Sequence, residues 1–180
     1  MKLADRQLTR AWLVAFSAAL LSISQLGCQP IATGNRLTVA SAGKISSLDP
    51  AQASTVNTIQ LLSALGDPLY SLDGNGELIP RLAEASPIVS PDGLTVTIPL
   101  RRDVLFHDGT RFDAEAMAFS LRRFLEIGTL SYVVGGRIRS VEVAADHQLV
   151  LRLSRPSTSL EGLLTSVNLT PVSPTAYAQH

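Results

Sequence analysis

The stretch LRRDVLFHDGTRFDAEAMAFSLRR, residues 100–123, decides the fold of this chain of 180 residues. It follows a Pro-Asp-Gly turn and a run, residues 94–100, in which apolar and polar side chains alternate. This alternation predicts a strand with one buried face. Proline cannot donate a hydrogen bond to a ladder, so Pro99 predicts that the strand ends there or lies at a sheet edge.

The second half of the stretch predicts an amphipathic helix over residues 114–127. Asp113 is a residue type that favours the N-cap position, and Gly128 supplies a stop. The apolar residues between them recur at helical spacing, which predicts one buried stripe: Met117, Leu121, Phe124 and Leu125.

Two arginines on this helix allow two interpretations. Arg122 and Arg123 lie off the apolar stripe, so we expect them on a solvated helix face. Their acidic neighbours would be Glu126 and Asp103. The alternative is a contact with an anion or a peptide carboxylate.

The flanking sequence predicts further short elements. Residues 36–41 alternate and predict a strand, and residues 55–65 predict a helix capped by Ser54 or Thr55. The apolar positions of that helix are Val56, Ile59, Leu62 and Leu65. Two hairpins are predicted, around the turns at residues 73–76 and 145–147. Meandering antiparallel strands with a few helices indicate an α+β or α/β fold rather than a regular βαβ alternation.

Several short motifs between residues 82 and 115 together form a recognisable pattern. They are Leu82-Ala83-Glu84, Asp92-Gly93, Thr95, Thr97, Leu100-Arg101, Phe106, Asp108-Gly109 and Asp113-Ala114-Glu115. Together they resemble the signature region of the peptide/nickel-type (family 5) solute-binding proteins of ABC importers. The resemblance extends from about residue 37 to residue 174.

The resemblance implies a periplasmic-binding-protein-like fold of type II, in its peptide-binding cluster, in which two lobes close on a ligand. Residues 37–70 and 165–180 would form part of the first lobe, and residues 71–164 a smaller inserted subdomain. The second lobe would be absent, so we expect an amino-terminal fragment of a longer protein. The implied role is to bind a small solute such as a peptide and to dock on ABC permease subunits, without catalysis and without a cofactor. The alternative is a membrane-tethered remnant without function, or a scaffold lipoprotein.

The loop of residues 43–50 is the best candidate for ligand contact. It follows the first predicted strand, and ligands of α/β binding folds lie beyond the carboxyl ends of strands. The resemblance implies that this loop, which ends in Leu48-Asp49-Pro50, lies at the mouth of the cleft between the lobes. The expected contacts are Ile45, Ser46 and Ser47, with Asn57 at the start of the next helix. The alternative is that Asp49-Pro50 only shapes a turn.

The amino terminus has the pattern of a bacterial targeting segment. Lys2, Arg6 and Arg10 precede an apolar run, residues 11–26. This run is shorter than the roughly 20 residues that a bilayer span needs, but it suits a secretory signal peptide. We therefore expect a signal peptide over residues 1–27 and a polar tether over residues 28–36.

A lipid anchor is expected directly after the signal peptide. Gly27-Cys28 resembles a lipobox, although Gln25 stands where lipoboxes prefer leucine. Cys28 is the only cysteine, so an exported chain would have no disulfide partner for it. We expect lipidation of Cys28 and a periplasmic or cell-surface location on a bacterial membrane. The alternative is a plain signal peptide cut nearby, which leaves a free thiol.

Charge and residue spacing exclude other classes of function. Removing residues 1–27 removes three of the 15 basic and one of the 15 acidic residues, which leaves a net charge of −2. That balance does not predict nucleic-acid binding, which needs a concentrated basic face. His107, His147 and His180 show no metal-ligand spacing, and a zinc site needs three or four ligands. Asp108 is expected to bond a turn amide and Asp113 to cap a helix, which leaves no acid/base pair for a hydrolase.

Overall fold

The computed structural model describes residues 37–134, 136–157 and 159–178. The helices are α1 (Val56–Leu65), α2 (Ala114–Ile127), α3 (Ser131–Val134), α4 (Leu160–Leu163) and α5 (Pro174–Tyr177), and 3₁₀ turns occupy Pro50–Gln52 and Val167–Leu169. The strands are β1 (Tyr70–Leu72), β2 (Leu78–Pro80), β3 (Ile88–Val89), β4 (Thr95–Pro99), β5 (Ile138–Ala145) and β6 (Gln148–Leu153). The predicted signal peptide, the lipidation site Cys28 and the tether lie outside the described residues.

The amino-terminal part that is described forms no regular element. Residues 37–40 belong to a separate compact unit from residues 41–178. They are neither helix nor strand, so the strand predicted over residues 36–41 is wrong for the described positions. Alternation alone does not make a strand, because the backbone groups also need a paired neighbour, and among the described residues these have none.

A four-stranded antiparallel sheet forms the centre of the second unit. Its strand order is β3-β4-β6-β5, with Val96 opposite Leu151 and Ile98 opposite Leu149. These four side chains are buried, as the alternation predicted. The two predicted hairpins, β1–β2 and β5–β6, are confirmed. The mixed fold with meandering antiparallel strands and few helices is therefore confirmed.

Pro99 ends β4 rather than marking a sheet edge. β4 lies between β3 and β6, so it is an inner strand of the sheet. Pro99 is its last residue and pairs in register with Gln148. A proline is tolerated at this point because the ladder stops there.

Helix α2 covers one face of the sheet and begins and ends where its sequence predicts. The Asp113 Oδ1 atom accepts a hydrogen bond from the Ala116 amide over 2.8 Å, which confirms the N-cap. The Gly128 amide donates to the Phe124 carbonyl over 2.9 Å at the other end. α2 packs on β5 and β6. Met117, Leu121 and Phe124 of its predicted apolar stripe are buried there.

Helix α1 buries a different face from the one its apolar residues predict. Thr55 caps it, as one of the two alternatives expected. Leu62 is buried, but Val56 and Leu65 are 70% and 48% exposed. Thr58 is fully buried instead, because its hydroxyl bonds to the hydroxyls of Thr55 and Ser46 and so turns this face inward.

The segments before and after the sheet lie against each other. The Asn168 side chain is buried and its Nδ2 donates to the carbonyls of Pro50 and Ala53 over 2.9 and 2.8 Å. The Thr129 amide, just beyond α2, donates to the Ala51 carbonyl over 3.0 Å. The 3₁₀ turn Pro50–Gln52 is therefore held by two other parts of the fold.

Candidate functional site

Hydrogen bonds of Ser46 and Ser47 help to hold the loop of residues 43–50. The Ser46 amide donates to the Thr58 hydroxyl of α1 over 3.3 Å. The Ser47 hydroxyl accepts a hydrogen bond from the Asp49 amide over 3.0 Å. These bonds satisfy backbone donors that an irregular segment would otherwise leave without protein partners. They give the loop a defined shape.

The four expected contact residues fall into two groups. Ile45 and Ser46 are exposed, whereas Ser47 and Asn57 are half-buried. The Asn57 amide group packs so closely on Gly43 that a Cβ at that position would overlap it. Ser47 and Asn57 thus shape the loop, and Ile45 and Ser46 are among the side chains it presents to solvent, together with Lys44 and Leu48.

Asp49 connects this loop to the rest of the fold. Its Oδ1 atom accepts from the Ala51 amide over 3.1 Å and caps the 3₁₀ turn Pro50–Gln52. The same carboxylate forms an ion pair with Arg123 of α2. Asp49-Pro50 therefore does shape a turn, and it also makes a long-range contact.

The prediction that Arg123 lies on a solvated helix face is wrong. Its two terminal nitrogens donate to both oxygens of Asp49, one of them over 2.7 Å, and only 14% of its side chain is exposed. Its guanidinium carbon lies 4.1 Å from the centre of the Tyr177 ring, a cation–π contact. No spacing rule could reveal this pair, because its members are 74 residues apart.

The neighbouring arginine is exposed, as predicted, but its guanidinium is also bonded. Arg122 Nη2 donates to the Val141 carbonyl of β5 over 2.8 Å. The acidic neighbours expected for the two arginines do not pair with them. Asp103 instead forms an exposed ion pair with Arg101.

The Asp49–Arg123 pair sets the charge state of this region. Burial by itself raises the pKa of the Asp49 carboxyl. Hydrogen bonds from Arg123, Tyr177 and the Ala51 amide, together with the charge of Arg123, outweigh burial and hold that pKa below its usual range. Burial, followed by the charge of Asp49, raises the pKa of the Tyr177 phenol. At neutral pH the cluster therefore holds a carboxylate, a guanidinium and a neutral phenol.

A separate cleft of 630 Å³ lies between the end of α1, residues 104–108 and residues 170–177. Its lining is mostly apolar and includes Leu65, Leu105, Phe106 and Val172. Leu48 and Pro50 reach it from the loop, but none of the four expected contact residues lines it. The loop therefore contributes to the cleft through its last residues, whereas the four expected contact residues lie outside the lining.

Asp108 lies at the rim of this cleft and bonds a turn amide, as predicted. Its Oδ1 atom accepts from the Thr110 amide over 2.9 Å, and its Oδ2 atom accepts from the Ser173 hydroxyl. Within the described ranges, no three His, Cys, Asp or Glu side chains gather as a potential metal site. In the same ranges, no helix is both long enough and apolar enough to cross a membrane.

Comparison with known proteins identifies the group of proteins that this chain resembles. The family model described as bacterial extracellular solute-binding proteins, family 5 Middle, matches residues 77–179. The glutathione-binding protein GsiB of Salmonella choleraesuis is 28% identical over 175 residues, which are 96% of this chain and 33% of that protein. The probable peptide ABC transporter periplasmic-binding protein y4tO of Sinorhizobium fredii is 28% identical over 165 residues, 91% of this chain and 30% of that protein.

A solved structure has the same fold over this part. Listeria monocytogenes OppA bound to peptide superposes with a TM-score of 0.72 and 22% identity, over 77% of this chain and 31% of that one. The chain therefore spans about a third of the length of the curated relatives it matches. The likeness in fold extends to a solved peptide-bound protein.

Proposed function

The chain belongs to the bacterial extracellular solute-binding proteins of family 5, and we propose that it is the solute-binding component of an ABC importer for peptides or related solutes. Family 5 members are transport binding proteins and not enzymes. The observation that carries the proposal is the family match over residues 77–179, which includes the helix and turn motifs around Asp108 and Asp113. Two of the relatives are a glutathione-binding protein and a probable peptide ABC transporter periplasmic-binding protein, which favours a short peptide as the solute.

The proposed solute contacts are Ile45, Ser46 and Ser47 of the loop, together with Asn57. The exposure of Ile45 and Ser46 supports this assignment, since a ligand can reach them without rearrangement. The hydrogen bonds of Ser46, Ser47 and Asp49 also support it, because a loop of fixed shape loses little conformational entropy when it binds.

The proposed domain division keeps residues 37–70 and 165–180 as part of one lobe and residues 71–164 as an inserted subdomain. Two contacts between the flanking segments support it. Both are hydrogen bonds from the Asn168 side chain, one to the carbonyl of Pro50 and one to the carbonyl of Ala53. The proposed partners of the whole assembly are ABC permease subunits.

Export and lipid attachment at Cys28 complete the proposed function. The basic residues near the amino terminus, the apolar run and Gly27-Cys28 support a periplasmic or cell-surface lipoprotein. Radiolabelled palmitate should enter the wild-type chain in a bacterial host and not the Cys28→Ala variant. Equal label in both, or none in either, would rule out lipidation at this cysteine.

Solute binding can be tested on the loop itself. Backbone amide resonances of the ¹⁵N-labelled chain would be followed by NMR during titration with glutathione, a pool of di- to pentapeptides and nickel. We expect one of these probes to shift the Lys44–Ser47 amides in a saturable way, and Ile45→Asp to abolish the shift. Ile79→Asp is the matched control, because Ile79 is partly exposed on β2 and away from the loop. Shifts elsewhere only, or none with any probe, would favour a tethered protein without a transport role.

A further inference from the structure

Arg123 links three separate parts of the chain, since it lies on one helix and contacts two other segments. It lies on α2, it donates to both carboxylate oxygens of Asp49 in the loop, and its guanidinium stacks on Tyr177 of α5. The Tyr177 ring also makes an edge contact with Phe119, one turn earlier on α2, with 6.2 Å between ring centres. The guanidinium plane is thus fixed by a ring that α2 itself helps to hold.

Several hydrogen bonds of the loop and of the 3₁₀ turn after it meet at Asp49, the residue that Arg123 binds. Asp49 receives the Ala51 amide at its Oδ1 atom, its own amide donates to the Ser47 hydroxyl, and its carbonyl accepts from the Gln52 amide over 3.0 Å. Both side chains of the pair are largely buried, at 14% and 11% exposed. A bidentate contact in this setting restricts both the position and the orientation of the carboxylate.

We propose that Arg123 is a positioning residue for the loop of residues 43–50: through Asp49 it fixes the loop on α2, so that Ile45 and Ser46 are presented to the solute in one arrangement. This proposal rests on the proposed role of the loop in solute binding. The proposed role is positioning and not solute contact, because both terminal nitrogens of Arg123 donate to Asp49.

The geometry makes lysine a poor substitute for this arginine. A lysine at position 123 would keep the positive charge, but its ammonium is a point charge that neither forms the two parallel bonds nor stacks as a plane on Tyr177. A methionine would fill the space and leave the Asp49 carboxylate without its cation. The two variants therefore separate the role of charge from the role of geometry.

Amide hydrogen exchange on the full chain tests the positioning role without any ligand. We expect Arg123→Met to accelerate exchange of the hydrogen-bonded amides at the end of the loop and in the 3₁₀ turn, those of Asp49, Ala51, Gln52 and Ala53. The increase should be at least about tenfold relative to β4 and β6, because this part of the chain would then open without unfolding of the sheet. Arg123→Lys should fall between Arg123→Met and the wild type. Arg122→Met is the matched control, because Arg122 bonds to Val141 and not to the loop. In this variant the same amides should exchange as in the wild type.

The results separate this proposal from the proposed function. Loop exchange that is unchanged in Arg123→Met, or that rises only together with exchange of β4 and β6, would overturn the positioning role. The NMR titration with glutathione and the peptide pool, repeated on Arg123→Met and Arg123→Lys, then tests the solute role. If loop exchange accelerates but no probe binds to the wild type, Arg123 still holds the loop in place. The proposed role of the loop in solute binding would then be wrong.

Discussion

Arg123 of α2 donates to both carboxylate oxygens of Asp49, 74 residues earlier in the chain, and the two side chains are almost equally buried. The pair joins the amino-terminal loop to the helix that covers the sheet. Charged groups that lose this much hydration remain ionised only when each is paired with good geometry. Removing either partner would therefore leave the other charge largely buried and without its counter-ion.

The pair should make stability depend on pH. The folded-state pKa of Asp49 lies below its value in the unfolded chain, so the stabilisation is complete above about pH 4, the ordinary aspartate pKa, and is lost as pH falls through the folded value. At pH 7 we expect Asp49→Asn to reduce the free energy of unfolding by about 2 kcal/mol, somewhat less than for a fully buried pair. The difference from wild type should shrink on acidification below about pH 4.

Urea denaturation of both proteins between pH 7 and pH 3 measures this dependence. Asparagine keeps an oxygen that can accept from the Ala51 amide, so the comparison isolates the charge and the bonds from Arg123. The other carboxylates titrate in both proteins and cancel in the difference. A difference that stays constant across the whole range would mean that ionisation of Asp49 does not carry the stabilisation.

The start of α2 should depend on Asp113. Its carboxylate satisfies the Ala116 amide, a donor that the first turn of a helix leaves without a backbone partner. Asp113→Ala should cost about 1 kcal/mol in the free energy of unfolding. Asp103→Ala, which removes only an exposed carboxylate beside Arg101, should leave the denaturation midpoint unchanged. Equal midpoints for all three proteins would mean that another residue caps the helix.

The end of α2 should depend on the absence of a side chain at Gly128. A Cβ there would lie 2.6 Å from Cδ2 of the Phe124 ring, which is itself buried in the core. Gly128→Ala should therefore destabilise the fold by about 1–3 kcal/mol. Gly162→Ala is the control, because the space around Gly162 in α4 is open and alanine should stabilise that position by up to about 1 kcal/mol. Thermal melts in which both variants lose stability equally would contradict the packing argument.

Elements determined by local rules could be predicted from the sequence. The strand ending at Pro99, the helix between Asp113 and Gly128 and the two hairpins depend on alternation, caps and turns that lie within a few residues of each other. The α1 face was not predictable in the same way, because Thr58 is buried through hydroxyls of Thr55 and Ser46, and apolar spacing contains no information about such a network.

The loop of residues 43–50 also has some features that the sequence predicts and others that it does not. Its position after the first residues of the fold and its Asp-Pro ending could be read from the sequence, and so could the candidates Ile45 and Ser46. Its attachment to α2 could not, since neither Asp49 nor Arg123 differs by spacing from an ordinary surface charge. Contacts between distant residues need the topology first, and only the assembled sheet brings α2 over the loop.

Solute affinity of this chain should be low. A solute-binding pocket normally covers most of its ligand, whereas Ile45 and Ser46 are exposed and do not line the 630 Å³ cleft. We expect dissociation constants for glutathione and di- to pentapeptides that are weaker than about 1 µM, the value that corresponds to roughly 8 kcal/mol of binding free energy. Isothermal titration calorimetry of the monodisperse chain measures them. Micromolar or tighter binding would identify a self-sufficient binding domain.

The exposed apolar lining of the cleft should make the chain associate. Leu48, Leu65 and Leu105 line it and are 64%, 48% and 63% exposed, which gives a contiguous apolar surface that water hydrates unfavourably. Leu65→Glu combined with Leu105→Glu should shift the chain toward monomer in sedimentation velocity without loss of its circular dichroism spectrum. Leu72→Glu is the control, because Leu72 is 54% exposed on β1 but does not line the cleft, so the same charge should change association little. A wild-type chain that stays monomeric over the full concentration range would show that this surface does not drive association. If Leu72→Glu reduces association as much as the double variant does, overall charge and not the cleft would be the cause.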